Sequence, residues 1–186
     1  MFVNFIRHGK TLGNIQKKYI GKTDEELCEE GIKCLKNMKY PPCDVIFSSP
    51  LKRCLQTAEI IYPHKKIIVS ENFRECDFGD FEGKNYAELS KNPYYQKWID
   101  SMGKMTFPNG ENPLYFKERC VSEFLNSVKK AEKNSTFSFV VHGGTIMAIM
   151  EKFCVPEKNY YDWQVKNGHG FVAEYCDKKL TLKEVL

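Results

Sequence analysis

The sequence contains no long apolar run and no low-complexity tract. Although 42% of its 186 residues are hydrophobic, none of its apolar stretches approaches the roughly 18–20 residues that a membrane-spanning helix needs. Residues 1–6 carry no basic side chain and lead directly into Arg7, unlike the start of a signal peptide. We therefore predict a cytoplasmic protein that does not contact a membrane, and the chain length predicts one domain over residues 1–186.

Patterns that hold metal ions or disulfides are also missing. None of the eight cysteines forms a C-x-x-C pair, and none of the four histidines forms an H-x-x-x-H pair. An even number of cysteines would suit disulfides in a secreted protein, but nothing else in the sequence indicates secretion. Reduced thiols that act as small apolar side chains are the favoured interpretation, and we predict neither a metal nor a cofactor.

The charge is small and dispersed. The formal net charge is +4, and the lysines are spread along the chain rather than clustered. Because proteins that bind nucleic acid usually have a clustered basic face, we predict no nucleic-acid partner. The same positive surplus is compatible with a small anionic substrate.

Apolar runs suited to buried strands alternate with segments of helical periodicity. Apolar runs predict strands at residues 2–6, 45–47, 67–69 and 137–141. The last strands are expected at residues 171–175 and 180–185, around a turn at 176–179. Helices are predicted behind a capping-box pattern at residues 23–26, behind Ser49 as an N-cap, and at residues 114–131 and 145–153. This alternation predicts an α/β fold, a three-layer sandwich with a mainly parallel central sheet and helices on both faces. An irregular, aromatic-rich segment around residues 76–112, with short helices near 86–89 and 93–102, is expected to form a lid or cap.

Histidine and arginine follow the predicted strands at the points where the strands end. Arg7 and His8 come after the first strand, Ser49 and Arg53 after the second, and His142 after the fourth. Ligands of such a sheet bind at the carboxyl ends of its strands, so these groups are expected to gather at one edge, beside helix N-termini that favour anions. Arginine binds phosphate oxygens in a bidentate fork. The sequence thus predicts an anion pocket, suited to phosphate, with an imidazole inside it.

The imidazole in this pocket has three possible roles. It can act as a general base, as a metal ligand or as a nucleophile. The neighbouring arginines would repel a cation, which argues against a metal. Spacing alone does not separate the general base from the nucleophile.

Five sequence blocks together resemble the signature of one enzyme family. In chain order they are Arg7-His8-Gly9 with Asn14, Gly21-x-x-Asp24, Ser48-Ser49-Pro50-Leu51-x-Arg53-x-x-Gln56-Thr57-Ala58, Arg74-Glu75-x-x-Phe78-Gly79-x-Phe81-Glu82-Gly83, and Val141-His142-Gly143-Gly144. Their content and order resemble the histidine phosphatase superfamily, the phosphoglycerate-mutase-like enzymes, over nearly the whole chain. The resemblance implies a phosphatase that acts on a small phosphorylated metabolite through a phosphohistidine intermediate.

The resemblance also implies catalytic roles for individual residues. His8 resembles the nucleophile that accepts the phosphoryl group, and Arg7, Arg53 and His142 resemble the groups that hold its oxygens. Glu75 resembles the general acid that protonates the leaving oxygen and later activates water. Spacing alone would not choose Glu75 over its acidic neighbours, which are Asp77, Asp80 and Glu82.

Further positions resemble substrate-binding or supporting groups of the family. The substrate-binding positions are Asn14, Gly21 and Gly143, and the supporting positions are Ser49 and Glu82. Lys10 stands where the family usually has Glu or Gln. It either adds positive charge at the mouth of the pocket or faces solvent.

The segment between Glu75 and Arg119 indicates the substrate class. It contains no arginine, whereas phosphoglycerate mutases of this type carry longer insertions and extra substrate-binding arginines. Its blocks Tyr86-x-Glu88-Leu89, Trp98 and Phe107-Pro108-Asn109-Gly110-Glu111, together with the following Arg119, resemble bacterial alpha-ribazole phosphatases of cobalamin synthesis, except that Asn112 replaces the usual serine. The aromatic residues Tyr86, Tyr94, Tyr95, Trp98 and Phe107 could stack on a planar base or form a small core beneath the loop. We expect an alpha-ribazole 5'-phosphate phosphatase or a broad-specificity relative; the alternatives are a phosphoglycerate mutase and a non-catalytic phosphate-binding module.

Overall fold

A computed structural model describes residues 1–129 and 135–186 of the chain. The strands are β1 (Phe2–Arg7), β2 (Val45–Ser48), β3 (Ile67–Val69), β4 (Thr136–Val141), β5 (Cys154–Val155), β6 (Gly170–Cys176) and β7 (Lys179–Val185). They form one sheet in the order β3-β2-β4-β1-β6-β7-β5. The four strands from β3 to β1 are parallel, and β6 and β7 extend the sheet as an antiparallel pair. The predicted α/β fold with a mainly parallel sheet is therefore confirmed.

Helices cover both faces of this sheet. They are α1 (Leu12–Ile15), α2 (Glu29–Asn37), α3 (Lys52–Ile61), α4 (Tyr86–Leu89), α5 (Pro93–Asp100), α6 (Pro113–Val128) and α7 (Gly143–Phe153). Since successive strand residues point to opposite faces, Phe5 packs in the cluster that contains Phe124 of α6, while Ile6 packs in the cluster that contains Ala58 of α3. None of the helices within the two described ranges is long and apolar enough to cross a membrane.

The strand register brings three chain segments to the same edge of the sheet. Arg7 at the end of β1 is level with Val141 at the end of β4, and Ser48 at the end of β2 is level with Val140. The His8 N–H continues this pairing and donates to the Val141 carbonyl at 2.9 Å. The residues that directly follow the three strands therefore meet at the carboxyl edge, which is where ligands of such sheets bind.

The capping box predicted at residues 23–26 is wrong. Helix α2 begins later, at Glu29, and the Cys28 sulfur accepts a hydrogen bond at its N-terminus. The Thr23 N–H instead donates to the Glu82 carboxylate at 2.9 Å. The Thr23 N–H, which would donate to Glu26 in a capping box, therefore bonds to a residue far away along the chain.

The N-cap predicted at Ser49 is also wrong. Helix α3 begins at Lys52, and Leu51 precedes it without a side-chain cap. The Ser49 hydroxyl accepts from the Leu51 N–H at 3.3 Å and lies 2.7 Å from Nε2 of His142, so Ser49 lies two residues before the N-cap and contacts the strand edge. The predicted end of α6 at residues 130–131 lies outside the described residues.

The segment around residues 76–112 contributes a second, smaller core. Its buried members pack against α6 and α7, and the cluster consists of Cys76, Phe81, Leu89, Tyr95, Phe107, Phe116, Cys120 and Ala148. The two short helices predicted in the segment are present as α4 and α5. This core fixes the segment above the carboxyl edge of the sheet, where it forms part of a cavity wall.

Candidate active site

His8 lies at the end of β1 with one ring nitrogen held by the backbone. Its Nδ1 is 2.7 Å from the Gly9 carbonyl oxygen, which can only accept, so Nδ1 carries the proton and donates it. The other nitrogen, Nε2, therefore keeps a free lone pair. Burial, followed by the positive charges of Arg53 and Arg7, lowers the pKa of His8 well below its ordinary value. The ring is thus neutral near neutral pH, as a nucleophilic imidazole must be.

His142 lies beside His8, at the start of α7. The two ring centroids are 5.2 Å apart, and the His142 side chain is completely buried. Burial, with smaller contributions from Arg53 and His8, lowers the pKa of His142 well below its ordinary value. The Cys54 sulfur is 3.5 Å from Nε2 of His142, and burial raises the pKa of this thiol to about 12. Cys54 is therefore an uncharged neighbour of the ring.

Arg7 and Arg53 are fixed by backbone carbonyls rather than by carboxylates. Arg7 Nη1 donates to the Val165 carbonyl at 2.7 Å. Arg53 Nη1 donates to the Thr23 carbonyl at 2.7 Å, and its Nη2 donates to the Gly21 carbonyl at 2.8 Å. In both residues the buried Nε has no hydrogen-bond partner among the described residues. Each guanidinium thus keeps its positive charge available for an anion.

Glu75 approaches the same edge from the segment that follows β3. Its two carboxyl oxygens accept from the Cys76 N–H at 3.0 Å and from the Gly144 N–H at 3.2 Å. A Cβ at position 144 would lie 2.4 Å from a Glu75 oxygen, so glycine is what lets the carboxyl group reach the N-terminus of α7. Burial raises the pKa of Glu75, against the opposing effects of these hydrogen bonds and of Arg53 and Arg7. The raised pKa favours the protonated form that a general acid needs.

Asn14 lies on α1, and a residue that the sequence did not point to holds its side chain. Asn14 Oδ1 accepts from the Thr11 N–H at 3.1 Å and from Asn167 Nδ2 at 3.0 Å. Asn167 Nδ2 also donates to the His8 carbonyl at 3.1 Å, although the two residues are 159 positions apart along the chain. With Asn14 Oδ1 fixed as an acceptor, its amide N–H groups are left to donate elsewhere. No local pattern around Asn167 could have predicted this contact.

The other predicted positions have different surroundings. Gly143 lines the cavity described below, close to Arg7. Gly21 is buried and does not line it, since its N–H donates to Glu82 at 2.8 Å and its carbonyl accepts from Arg53. Glu82 therefore supports the loop that holds Arg53, and direct substrate contact by Gly21 stays a prediction.

Lys10 does not extend into the site. Its ammonium pairs with the Glu30 carboxylate on α2, and both side chains are largely exposed. Of the two interpretations open from the sequence, the solvent-facing one is confirmed. The substitution at this family position therefore adds no cation to the cavity.

A cavity of about 1050 Å³ opens above these groups. Arg7, His8, Asn14, Glu75 and Gly143 form one part of its lining, while Arg53 and His142 lie fully buried behind them. The aromatic residues of the lining are Tyr19, Phe78, Trp98, Phe107, Phe116, Tyr160 and Tyr161, and its lysines are Lys18, Lys104 and Lys117. Tyr86, Tyr94 and Tyr95, which the sequence grouped with these rings, do not line the cavity. The space is much larger than a phosphoryl group alone.

The two remaining histidines lie elsewhere. His64 is exposed, and His169 Nδ1 is 2.7 Å from the Leu186 carbonyl oxygen. Within residues 1–129 and 135–186, no group of three or more His, Cys, Asp or Glu side chains is arranged to hold a metal ion.

Comparisons with known proteins show the family and the fold of the chain. The family model described as "Histidine phosphatase superfamily (branch 1)" matches residues 3–185. The chain is 30% identical to the uncharacterized phosphatase PhoE of Bacillus subtilis, over 98% of this chain and 92% of the relative. It is 24% identical to the adenosylcobalamin/alpha-ribazole phosphatase of Salmonella typhimurium, over 96% and 92% of the two chains. The crystal structure of the alpha-ribazole phosphatase from Shigella flexneri has the same fold, with a TM-score of 0.87, 22% identity, and coverage of 100% of this chain and 96% of that one.

Proposed function

The chain belongs to the histidine phosphatase superfamily and is a phosphatase, and on this premise we propose that it hydrolyses phosphomonoesters through a phosphohistidine on His8. One observation carries the proposal. The lone pair of Nε2 in His8 is free, because Nδ1 donates to the Gly9 carbonyl, and the ring lines a cavity beside the guanidinium group of Arg7. Phosphoryl transfer asks for a positioned nucleophile and for positive groups around the phosphoryl oxygens.

The first step transfers the phosphoryl group to His8. Nε2 attacks phosphorus, the bond to the leaving oxygen breaks, and protonated Glu75 gives its proton to that oxygen. Arg7 and the Asn14 amide, which line the cavity, stabilise the charge on the transferring oxygens directly. Arg53 and His142 lie buried behind them, where Arg53 adds positive charge. The proton stays on Nδ1, which keeps donating to the Gly9 carbonyl, so the phosphorylated ring keeps its orientation.

The second step returns His8 to its starting state. Glu75, now a carboxylate, takes a proton from water while the water oxygen attacks phosphorus. The bond between phosphorus and Nε2 breaks, inorganic phosphate leaves, and the ring is neutral again. Glu75 thereby ends the cycle protonated, as it began.

For the leaving group, we propose the alcohol of alpha-ribazole 5'-phosphate or of a related ester with a planar base. The size of the cavity and its aromatic wall support this class, since flat rings stack favourably on aromatic side chains. The test is a substrate panel in chelator-treated buffer with alpha-ribazole phosphate, nucleotides, O-phosphoserine and glycerol phosphate. Hydrolysis without added metal is expected, with the largest kcat/KM for the base-containing esters.

Other results of this panel would contradict the proposal. Interconversion of phosphoglycerates that depends on a bisphosphate primer would indicate a mutase. Binding of phosphate with no ester cleaved would indicate a non-catalytic module. A preference for small esters over base-containing ones would leave the phosphatase intact and overturn only the substrate class.

A substitution of Trp98 tests whether a planar base stacks on the aromatic lining of the cavity. Since stacking of a base on an aromatic side chain contributes about 1–3 kcal/mol, Trp98→Ala should lower kcat/KM for alpha-ribazole phosphate about 5- to 150-fold. The value for glycerol phosphate should stay near that of the wild type, because this ester has no ring. Tyr86→Ala is the matched control, since Tyr86 is 66% exposed and does not line the cavity. Equal losses for both esters in Trp98→Ala would count against stacking.

A further inference from the structure

The backbone around Glu75 is irregular, and one arginine satisfies its carbonyl groups. This stretch lies between two 3-10 helices, at Glu71–Phe73 and Gly79–Phe81, so no strand or long helix pairs with it. Arg119 Nη1 donates to the carbonyls of Asn72 and Arg74, both at 2.8 Å. Its Nη2 donates to the Glu75 carbonyl at 3.2 Å. Such groups need partners when they are partly buried, and the guanidinium supplies them.

Glu111 completes the arrangement from the other side. Arg119 Nε and Nη2 donate to the two Glu111 carboxylate oxygens at 2.7 and 2.9 Å, a bidentate pair. The same carboxylate accepts the Asp77 N–H at 3.3 Å, and the Glu111 N–H donates to the Asp77 carbonyl at 2.9 Å. The pair thus grips the chain on both sides of Glu75, at residues 72–75 and at residue 77.

Every N–H donor of the Arg119 guanidinium is used in these contacts. This separates Arg119 from Arg7 and Arg53, whose Nε atoms have no partner among the described residues. Neither Arg119 nor Glu111 lines the cavity. The guanidinium instead lies 4.9 Å from the Phe116 ring, and that ring is also the neighbour that a Cβ at Gly144 would meet. Arg119 is therefore fully engaged in holding protein groups.

We propose that Arg119 and Glu111 are positioning residues that fix the Glu75 carboxyl group against the leaving oxygen of the substrate. The inference rests on the proposed acid role of Glu75. Lysine could not replace Arg119, because an ammonium group lacks the planar fork that reaches three carbonyls and a carboxylate together. The pair acts only through Glu75, so its loss should impair the protonation of the leaving group and spare phosphoryl binding.

The dependence on the leaving group tests this inference. Glycerol phosphate has a poor leaving group that needs a proton, whereas dinitrophenyl phosphate has a good one that does not. We define the leaving-group ratio as kcat/KM for glycerol phosphate divided by kcat/KM for dinitrophenyl phosphate. Since small misplacements of a catalytic group can cost on the order of 100-fold, Arg119→Gln should lower this ratio by about 10- to 100-fold. Glu111→Gln should lower it in the same direction and by less.

The controls separate positioning from general damage. Arg74→Gln removes a neighbouring arginine whose side chain is 52% exposed and pairs with Glu71, and it should keep the wild-type ratio. A purely structural role would lower kcat/KM for both esters equally and leave the ratio unchanged. If Arg119→Gln does not fold, Glu111→Gln decides, since its activity on dinitrophenyl phosphate reports a folded protein.

The outcomes also distinguish this inference from the proposed function. A wild-type ratio in the Arg119 and Glu111 variants, together with a lowered ratio in Glu75→Gln, would overturn the inference alone. A wild-type ratio in Glu75→Gln would overturn the acid role and the inference with it. Lowered ratios in all three variants, largest in Glu75→Gln, are the result we expect.

Discussion

His8→Ala should abolish turnover of every phosphomonoester that the wild type cleaves. Loss of a nucleophile costs on the order of 10⁴- to 10⁶-fold in kcat. His142 cannot substitute, because its Nε2 is 2.7 Å from Ser49 Oγ and its side chain is fully buried. Cys54 cannot substitute either, because its thiol stays protonated. The measurement is initial rate on dinitrophenyl phosphate, whose good leaving group gives the most sensitive assay.

A second histidine variant controls for loss of an imidazole as such. His169→Ala removes a ring whose Nδ1 contacts the Leu186 carbonyl and which does not line the cavity, so it should keep wild-type activity. Inorganic phosphate should still bind to His8→Ala, since Arg7 and Arg53 remain. Wild-type rates in His8→Ala would show that His8 is not the nucleophile.

Glu75→Gln should produce the second largest effect, and the size of the effect should depend on the ester. General acid catalysis contributes typically about 10²- to 10⁴-fold, so kcat/KM for glycerol phosphate should fall by about that factor. For dinitrophenyl phosphate the fall should be much smaller, because its leaving group departs without a proton. Asp80→Asn is the matched control, since Asp80 is exposed and does not line the cavity. A larger loss in Asp80→Asn than in Glu75→Gln would show that Glu75 is not the general acid.

The pH dependence of the wild type follows from the same residue. Burial raises the pKa of Glu75, and the acid works only while it is protonated. The value of kcat/KM for glycerol phosphate should therefore fall as the pH rises through this raised pKa. The fall should be absent in Glu75→Gln and weak with dinitrophenyl phosphate. At the acidic end, protonation of His8 should lower the rate only well below the ordinary histidine range, since its pKa is lowered.

Much of the fold and of the candidate site could be predicted because the relevant signals are local. Continuous apolar runs mark the parallel strands, and the groups that follow them, such as His8 and His142, must meet at the carboxyl edge. The comparison of Glu75 with its acidic neighbours needed the structure. Asp77 pairs with Lys22 at 2.9 Å, Glu82 accepts backbone N–H groups, and of these acids only Glu75 lines the cavity.

Long-range hydrogen bonds were beyond the reach of sequence patterns. Asn167 and Arg119 donate to backbone carbonyls far away along the chain, at His8 and at Glu75, and no local motif indicates these contacts. Helix α1 was missed because it is only one turn long, and reciprocal hydrogen bonds between Thr11 and Asn14 cap it. At residues 23–26 a local pattern was present but misleading. Thr23 fits a capping box, yet its N–H donates to Glu82.

The aromatic residues illustrate a further limit. An aromatic residue looks the same in the sequence whether its ring packs in a core or stacks on a ligand. Tyr95 is buried in the small core, Tyr86 faces solvent, and Trp98 lines the cavity. The core interpretation therefore holds for Tyr95, whereas stacking on a planar base stays a prediction for Trp98.

Rapid quench of the enzyme with labelled substrate tests the central claim most directly. During turnover, label should appear on the protein as an acid-labile, alkali-stable phosphate, and peptide mapping should place it on His8. The amount should rise before steady state and decay as inorganic phosphate is released. Turnover at the wild-type rate with no labelled protein, or with the label on a residue other than His8, would contradict the account.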